Sequence, residues 1–236
     1  MVYAPAPPIE SVVIGGVHTP TLAHSTAGVH TTGLGYTAHL PSNLHDEVRV
    51  GIESDTDGNT ASALDNVLRM LVSYRMLEIG GVVLHSAGII VDGGVWIFYG
   101  VSGSGKSTLS RLALEAGHEV LSDDLNAVIT PSGLPTVRAV PFSGELAQVW
   151  RGNSSYPLKG LFRLRKGSSI RVSEFTPAVA VGAMAVCCPY ANSKPALNKS
   201  LLDTLAGLIP MVPAGEVTFA RDSDFSSLAA ALRANS

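Results

Sequence analysis

Cysteine is almost missing from this chain. Only two of its 236 residues are cysteines, and they are adjacent, at Cys187 and Cys188. Two neighbouring thiols do not build a disulfide framework, and they fall short of the ligand set of a structural metal site. This excludes the small disulfide-stapled classes of secreted domain and indicates a reducing, cytoplasmic environment.

Strong net charge and long apolar runs are missing as well. The chain has 16 basic and 19 acidic side chains, a formal net charge of -3, so it lacks the basic field that sequence-independent nucleic-acid binding requires. No apolar run reaches the roughly 18 to 20 residues of a membrane helix, and the segment 178–188 is too short and contains a glycine. The first residues lack the basic and apolar regions of a secretion signal. We therefore expect neither a nucleic-acid partner nor a membrane.

Apolar residues are plentiful, at 46% of the chain, and supply one good-sized core. Residues 1–60 alternate short β-branched stretches with turn residues, which predicts an N-terminal β-rich region packed on a main domain of residues 61–236. Five of the seven histidines fall in the first region, and we interpret them as scattered loop residues because their spacing matches no compact metal-ligand motif. They are His18, His24, His30, His39 and His45.

Hydrophobic periodicity predicts alternating helices and strands from residue 59 onward. A helix capped at Asn59 or Thr60 ends before Gly80, and its face expected to cover a sheet carries residues at helical spacing: Leu64, Val67, Leu68, Leu71, Tyr74 and Arg75. Buried strands are predicted at 82–85, 89–91 and 95–99, then a helix at 106–117 and a strand at 118–122. Further on, the pattern predicts strands at 136–140 and 161–164, a loop at 141–158, and helices at 195–208 and 225–234.

The strand at 95–99 runs directly into a glycine-rich loop. The loop matches Gly-x-x-x-x-Gly-Lys-Ser and lies between a strand and a helix, which is the pattern of a phosphate-binding loop. Its glycines let several backbone N–H groups converge on a phosphate, and the helix presents its positive end. Lys106 would bridge the β- and γ-phosphates of ATP, and the Ser107 hydroxyl would bind Mg²⁺. The predicted nucleotide-binding residues are Gly100, Ser102, Gly103, Ser104, Gly105, Lys106, Ser107 and Thr108.

Two adjacent carboxylates, Asp123 and Asp124, follow the next strand. The carboxyl ends of strands are where open α/β sheets bind their ligands. One carboxylate would serve the metal, for which we name Asp123, and the other would take the proton from an attacking hydroxyl; the residues alone leave that division open. By itself such a pair can also be a solvated turn or a helix cap. His85 ends a neighbouring strand, either as a core histidine or as a third catalytic residue.

Phosphoryl transfer also needs cations around the charge of its transition state. The segment between residues 138 and 166 carries several basic side chains. From these we select Arg151 and Lys159 as a substrate-side clamp, with a solvated surface position as the alternative for each.

Four stretches together resemble the HPr kinase/phosphorylase family, whose core is similar to that of phosphoenolpyruvate carboxykinase. The resemblance covers about residues 71–166 and implies an α/β fold with a mixed sheet, in which His85, the loop and the aspartate pair share one active site. It also implies assembly into a homo-oligomer and ATP- and Mg²⁺-dependent phosphorylation of a hydroxyl, often a serine of a peptide or protein. The stretches are Leu84-His85-Ser86-Ala87-Gly88, Phe98 to Ser107, Ala116-Gly117-His118 and Leu121-Ser122-Asp123-Asp124.

Two differences from HPr kinases favour another acceptor. The loop ends in Lys-Ser-Thr where HPr kinases have Lys-Ser-Glu, and their Glu-x-Arg-Gly signature has no counterpart after Arg171. We therefore predict a dedicated ATP-dependent kinase for a different peptide or protein, with a small-molecule hydroxyl kinase as the alternative and a non-catalytic nucleotide-binding sensor as a further one. Shikimate-type metabolite kinases open with their phosphate loop, whereas 99 residues precede Gly100 here.

Overall fold

The structure, a computed structural model, describes residues 13–14, 17–18, 20–52, 59–142, 144, 146, 154–193 and 197–234. The chain forms two compact units, Met1–Leu71 and Val72–Ser236. The boundary between these units lies within a long helix, α1 (Asn59–Glu78).

The first unit contains antiparallel strands. A short pair, β1 (Val13–Ile14) and β2 (Val17–His18), precedes a four-stranded sheet in the order β3-β4-β5-β6. His30 and His39 face each other in the register of β4 and β5, with ring centroids 4.3 Å apart. Burial, followed by the charges of His30 and Arg49, lowers the pKa of His39. The sheet strands are β3 (Thr21–Ser25), β4 (Gly28–Gly33), β5 (Tyr36–Pro41) and β6 (Arg49–Ile52).

The second unit is built on a mixed sheet flanked by helices, which confirms the predicted α/β class. Its strands follow the order β11-β10-β7-β8-β12-β14-β13, and β9 also pairs with β7. Strands β8, β12 and β14 run parallel, whereas β7 is antiparallel to β8, β9 and β10. The strands are β7 (Val82–Val91), β8 (Gly94–Tyr99), β9 (Glu119–Ser122), β10 (Leu125–Ile129), β11 (Thr136–Ala139), β12 (Ser155–Lys166), β13 (Arg171–Ser173) and β14 (Ala214–Phe219).

Helices cover both faces of this sheet. All six residues of β8 are buried, because Val95, Ile97 and Tyr99 enter one apolar cluster and Trp96 and Phe98 enter another. The first cluster includes residues of α3 (Pro177–Val186) and α4 (Asn198–Leu208). The second includes residues of α2 (Lys106–Glu115) and α5 (Phe225–Ala234). The site-bearing strand is therefore held on both sides.

Several predicted elements differ from the observed ones. The two strands expected at 82–85 and 89–91 are one strand, β7, which continues through Ser86 and Gly88. The segment 155–158, expected to be loop, opens the long strand β12. In α1, Val67 and Tyr74 are buried as expected, whereas Leu64 and Leu68 are exposed; the other buried positions are Ala63, Met70, Ser73 and Leu77.

The predicted helix ends are closer to the observed ones. Helix α5 spans the predicted residues 225–234, and α4 ends at Leu208 as expected. Helix α2 begins at Lys106, and Gly117 after it has φ = 82°. None of the helices within the described ranges has the length and apolar character needed to cross a membrane.

Two leucines of α4 provide a test of this core. Leu205 is fully buried in the first cluster, whereas Leu202 on the same helix is 44% exposed. We expect Leu205→Ala to lower the free energy of unfolding by about 2–5 kcal/mol, because it removes packed methyl groups and leaves a cavity. Leu202→Ala should change it by less than about 0.5 kcal/mol. Urea unfolding measures both, and equal effects would contradict the described packing.

Candidate functional site

The glycine-rich loop connects the end of β8 to the first turn of α2. Gly103 and Gly105 have φ angles of 75° and 106°, a region that favours glycine. Gly105 is the residue before α2, and a Cβ there would come within 3.0 Å of the Phe219 ring. The loop can therefore turn sharply and direct N–H groups of the first turn of α2 toward a bound anion.

Close backbone contacts hold the loop against the sheet. A Cβ on Gly100 would lie 2.7 Å from Ser104 Oγ and 3.0 Å from the carbonyl oxygen of Leu164 on β12. Ser104 Oγ is buried and has no hydrogen-bond partner among the described residues. An unsatisfied buried hydroxyl is uncommon in a folded protein.

Lys106 is buried, which is unusual for a lysine. Its Nζ donates to the carbonyl oxygens of Gly100 at 2.9 Å and Val101 at 3.3 Å. Those two bonds hold the ammonium group over the loop. A phosphate that entered the loop would meet this positive charge beside the N-terminus of α2.

The acidic pair lies in an interruption between two strands. Strand β9 ends at Ser122, and β10 begins at Leu125 and runs in the same direction along the same partner, β7. Between them, the Asp124 carbonyl oxygen accepts a hydrogen bond from the Ser86 N–H at 2.9 Å. Asp123 and Asp124 therefore occupy a break within the sheet, whereas the sequence had indicated only the end of a strand.

Asp123 is the more deeply placed of the two carboxylates. It is 5% exposed, and its Oδ2 accepts a hydrogen bond from the Leu146 N–H at 3.2 Å. A Cβ on Gly144 would lie 2.4 Å from Asp123 Oδ1, so only glycine allows the loop to come this close. Gly144 and Leu146 thus contact the carboxylate from one side.

Asp124 is more accessible and faces His85. The His85 Nε2 lies 3.7 Å from Asp124 Oδ1, and the two side chains are 40% and 21% exposed. This distance is long for a hydrogen bond but suits an ion pair when the imidazole is protonated. The His85 N–H donates to the Cys187 carbonyl oxygen at 2.7 Å, which fixes the backbone of β7 at this point.

One cavity of about 390 Å³ unites these groups. Its charged lining consists of two lysines, Lys106 and Lys166, and the two aspartates. The hydroxyl of Ser107 and both carboxylates supply hard oxygen donors of the kind that Mg²⁺ prefers. No set of three His, Cys, Asp or Glu residues within the described part of the chain forms a metal cage, so a magnesium ion here would take further oxygens from water or phosphate. The described lining residues are His85, Ser102, Gly103, Gly105, Lys106, Ser107, Thr108, Asp123, Asp124, Gly144 and Lys166.

Most of the predicted site residues meet at this cavity. Gly100 and Ser104 support the loop from behind, and Arg151 lies outside the described residues. Lys159 is distant from the cavity: its side chain packs over Gly94, at the start of β8, whereas the loop follows the end of β8.

Sequence reasoning missed two lining residues, Lys166 and Gly144. Lys166 ends β12, which runs parallel to β8 with Arg163 opposite Tyr99. It therefore reaches the same edge of the sheet as the loop. The only signal in the sequence was a basic residue at the end of an apolar strand, and pairing of distant strands was needed to interpret it.

A buried thiol lies beneath the loop. Burial raises the pKa of Cys187, although Lys106, the Gly100 N–H and Arg163 act in the opposite direction. Burial and the neighbouring Cys187 raise the pKa of Cys188. Both thiols are free and buried, so they contribute packing and no redox chemistry of their own.

Comparisons with known proteins do not assign the chain to a family. No protein-family model matches it, and no curated protein matches it. Among solved structures, the HPr(Ser) kinase/phosphatase from Coxiella burnetii is similar over 64% of this chain and 90% of that chain, with 13% sequence identity and a TM-score of 0.37. At this level of similarity the match assigns neither a family nor an activity.

The state of the thiols can be tested directly. Because their pKa values are raised, the folded protein at pH 8 holds Cys187 and Cys188 as protonated, buried groups. We expect a thiol-reactive chromogenic disulfide to modify them much more slowly in the folded protein than in urea, because burial blocks access to the sulfur atoms and lowers the fraction of thiolate. Equal rates in the two states would contradict the described burial.

Proposed function

We propose that the protein is an ATP- and Mg²⁺-dependent kinase that transfers the γ-phosphoryl group to a hydroxyl. One observation carries the proposal: the glycine-rich loop, the Asp123-Asp124 break and His85 line a single cavity. A phosphate-binding loop alone indicates nucleotide binding. A carboxylate pair and an imidazole in the same cavity add the groups that activate a hydroxyl.

In this proposal the nucleotide phosphates lie in the loop. The positive φ angles of Gly103 and Gly105 support it, because they let backbone N–H groups converge with those of the first turn of α2. Lys106 would leave the Gly100 and Val101 carbonyl oxygens and contact phosphate oxygens. Ser102 and Thr108 line the same cavity and supply hydroxyl donors.

The oxygen donors around the loop fit Mg²⁺. Ser107 and Asp123 are the residues that would hold it, and the deep burial of Asp123 beside Gly144 supports that role. When bound, the ion supplies positive charge that offsets the negative charge on the phosphate oxygens.

Asp124 and His85 would then act on the acceptor. Asp124 is the more exposed carboxylate, and it is the one that faces the imidazole. We assign Asp124 as the base that takes the proton from the acceptor hydroxyl, with His85 orienting its carboxylate. The contrast in burial between Asp123 and Asp124 is what supports this division of roles.

Lys166 takes the place of the predicted clamp residues as the second cation of the cavity. It is exposed and lines the cavity, so its ammonium group can move to a phosphate oxygen as charge develops. Lys159 lies too far away for this role, and Arg151 stays a sequence prediction.

We propose a serine of a peptide or protein as the acceptor. The support is the exposed rim of the cavity, because Ser102, Gly103 and Lys166 all line it and are all exposed. An open rim leaves room for a chain that is larger than a metabolite. The two alternatives are a kinase for a small-molecule hydroxyl and a nucleotide sensor without catalytic activity. Transfer and binding assays distinguish both from a peptide or protein kinase.

Transfer and binding assays test the core of the proposal. With labelled ATP and pools of serine peptides and hydroxyl metabolites, we expect Asp124→Asn to lower transfer by about 10²–10⁴-fold, because it removes the base. Nucleotide affinity should stay near the parent value in Asp124→Asn and fall strongly in Lys106→Ala. An Asp123→Asn/Asp124→Asn double variant that transfers phosphate at the parent rate would contradict the proposed mechanism. A parent protein that binds ATP without any transfer would favour the sensor.

Two lysines of β12 form a matched pair for the role of Lys166. We expect Lys166→Ala to lower kcat/KM by about tenfold or more, because a hydrogen bond to a charged group contributes about 1.5–3 kcal/mol. Lys159→Ala should leave kcat/KM unchanged, because Lys159 packs over Gly94 at the start of β8, away from the cavity. Steady-state kinetics with both variants decide the point, and a larger loss in Lys159→Ala would reverse the assignment.

A further inference from the structure

A buried amide lies behind the acidic break. Asn126 is the second residue of β10, and it is fully buried. Buried amides normally have their hydrogen bonds satisfied locally. All the hydrogen bonds described for this side chain go to two serines. Ser86 lies opposite the break on β7, and Ser122 is the last residue before the break.

The Asn126 Nδ2 is a donor surrounded by acceptors. It donates to the Ser86 carbonyl oxygen at 2.9 Å and to Ser86 Oγ at 3.0 Å, and the Ser122 carbonyl oxygen lies 3.5 Å away. The surrounding carbonyl groups accept hydrogen bonds only, so the nitrogen and not the oxygen must occupy this position. Its Oδ1 lies on the other side, against Gly88, where a Cβ would come within 2.4 Å.

The Asn126 amide supplies a hydrogen bond in place of one of the backbone hydrogen bonds between strands that are missing at the break. The Ser86 N–H donates to the Asp124 carbonyl oxygen, and the Ser86 carbonyl oxygen accepts from Asn126. The Asp124 N–H donates to Ser122 Oγ at 3.2 Å. Both peptide groups of Asp124 are thus tied to the two serines, and Asn126 holds those serines in turn.

We propose that Asn126 is a positioning residue that fixes the direction of the Asp123 and Asp124 carboxylates. This inference rests on the proposed function, because metal binding and proton transfer both depend on the direction of the two carboxylates. Asn126 does not line the cavity, so it acts through the backbone of the break. A purely structural role would make Asn126 important for stability and neutral for the geometry of the site.

A double-mutant cycle separates the two roles. We expect Asn126→Ala to lower kcat by about 10–100-fold, the range found when residues that orient metal ligands are removed. In the Asp124→Asn background the same change should cost much less, because the misdirected base is already absent. An equal loss in both backgrounds would overturn the positioning role.

Binding measurements supply a readout that is independent of activity. ATP affinity should fall in Asn126→Ala when Mg²⁺ is present and stay unchanged in EDTA, since the loop itself is intact. Equal losses with and without Mg²⁺ would overturn the inference. If the parent transfers no phosphate to any acceptor, the proposed kinase function fails, and this Mg²⁺ comparison still decides the role of Asn126.

Two further variants keep the test interpretable. Ser122→Ala removes the hydroxyl that binds the Asp124 N–H, so it should reproduce part of the loss in kcat, and it decides the matter if Asn126→Ala does not fold. A Ser122→Ala variant with the parent kcat would then overturn the inference. Ser110→Ala is the matched control, because Ser110 is fully buried and its hydroxyl has no hydrogen-bond partner in the described structure. Its kcat should equal that of the parent.

Discussion

The hydrogen bonds along β7 fix the relative positions of the glycine-rich loop, the acidic pair and His85. On one side β7 pairs with β8, whose last residue leads into the glycine-rich loop. On the other side it pairs with β9 and β10, between which Asp123 and Asp124 interrupt the ladder. His85 belongs to β7 itself. One strand therefore sets the distances between the loop, the carboxylates and the imidazole.

β7 can fix these distances only if its register with the neighbouring strands does not shift. A shift of one residue would move every side chain to the opposite face of the sheet. Here both faces are covered, by α3 and α4 on one side and α2 and α5 on the other, so a shift would bring the polar Ser86 and His85 into apolar clusters. The same packing that stabilises the unit also holds the acidic break opposite the loop.

The parts of the site that are local in sequence were predictable, and the parts that depend on distant pairing were not. The loop, the start of α2 and the span of α5 follow from a contiguous motif or periodicity. Ser86 and Gly88 look like a strand break in sequence, yet their polar and small side chains accommodate Asn126 from β10. Strand β10 was missed because Asn126 interrupts its apolar pattern. Lys166 was passed over because only the pairing of β12 with β8 brings it to the loop.

The central claim is that the loop and the acidic break together bind one nucleotide and its metal. Anomalous diffraction from crystals grown with Mn²⁺ and a non-hydrolysable ATP analogue tests it most directly. We expect phosphates in the loop from Gly100 to Ser107 and a single manganese peak between Ser107 and the Asp123-Asp124 pair. Phosphates bound in the loop with manganese remote from both aspartates would contradict it.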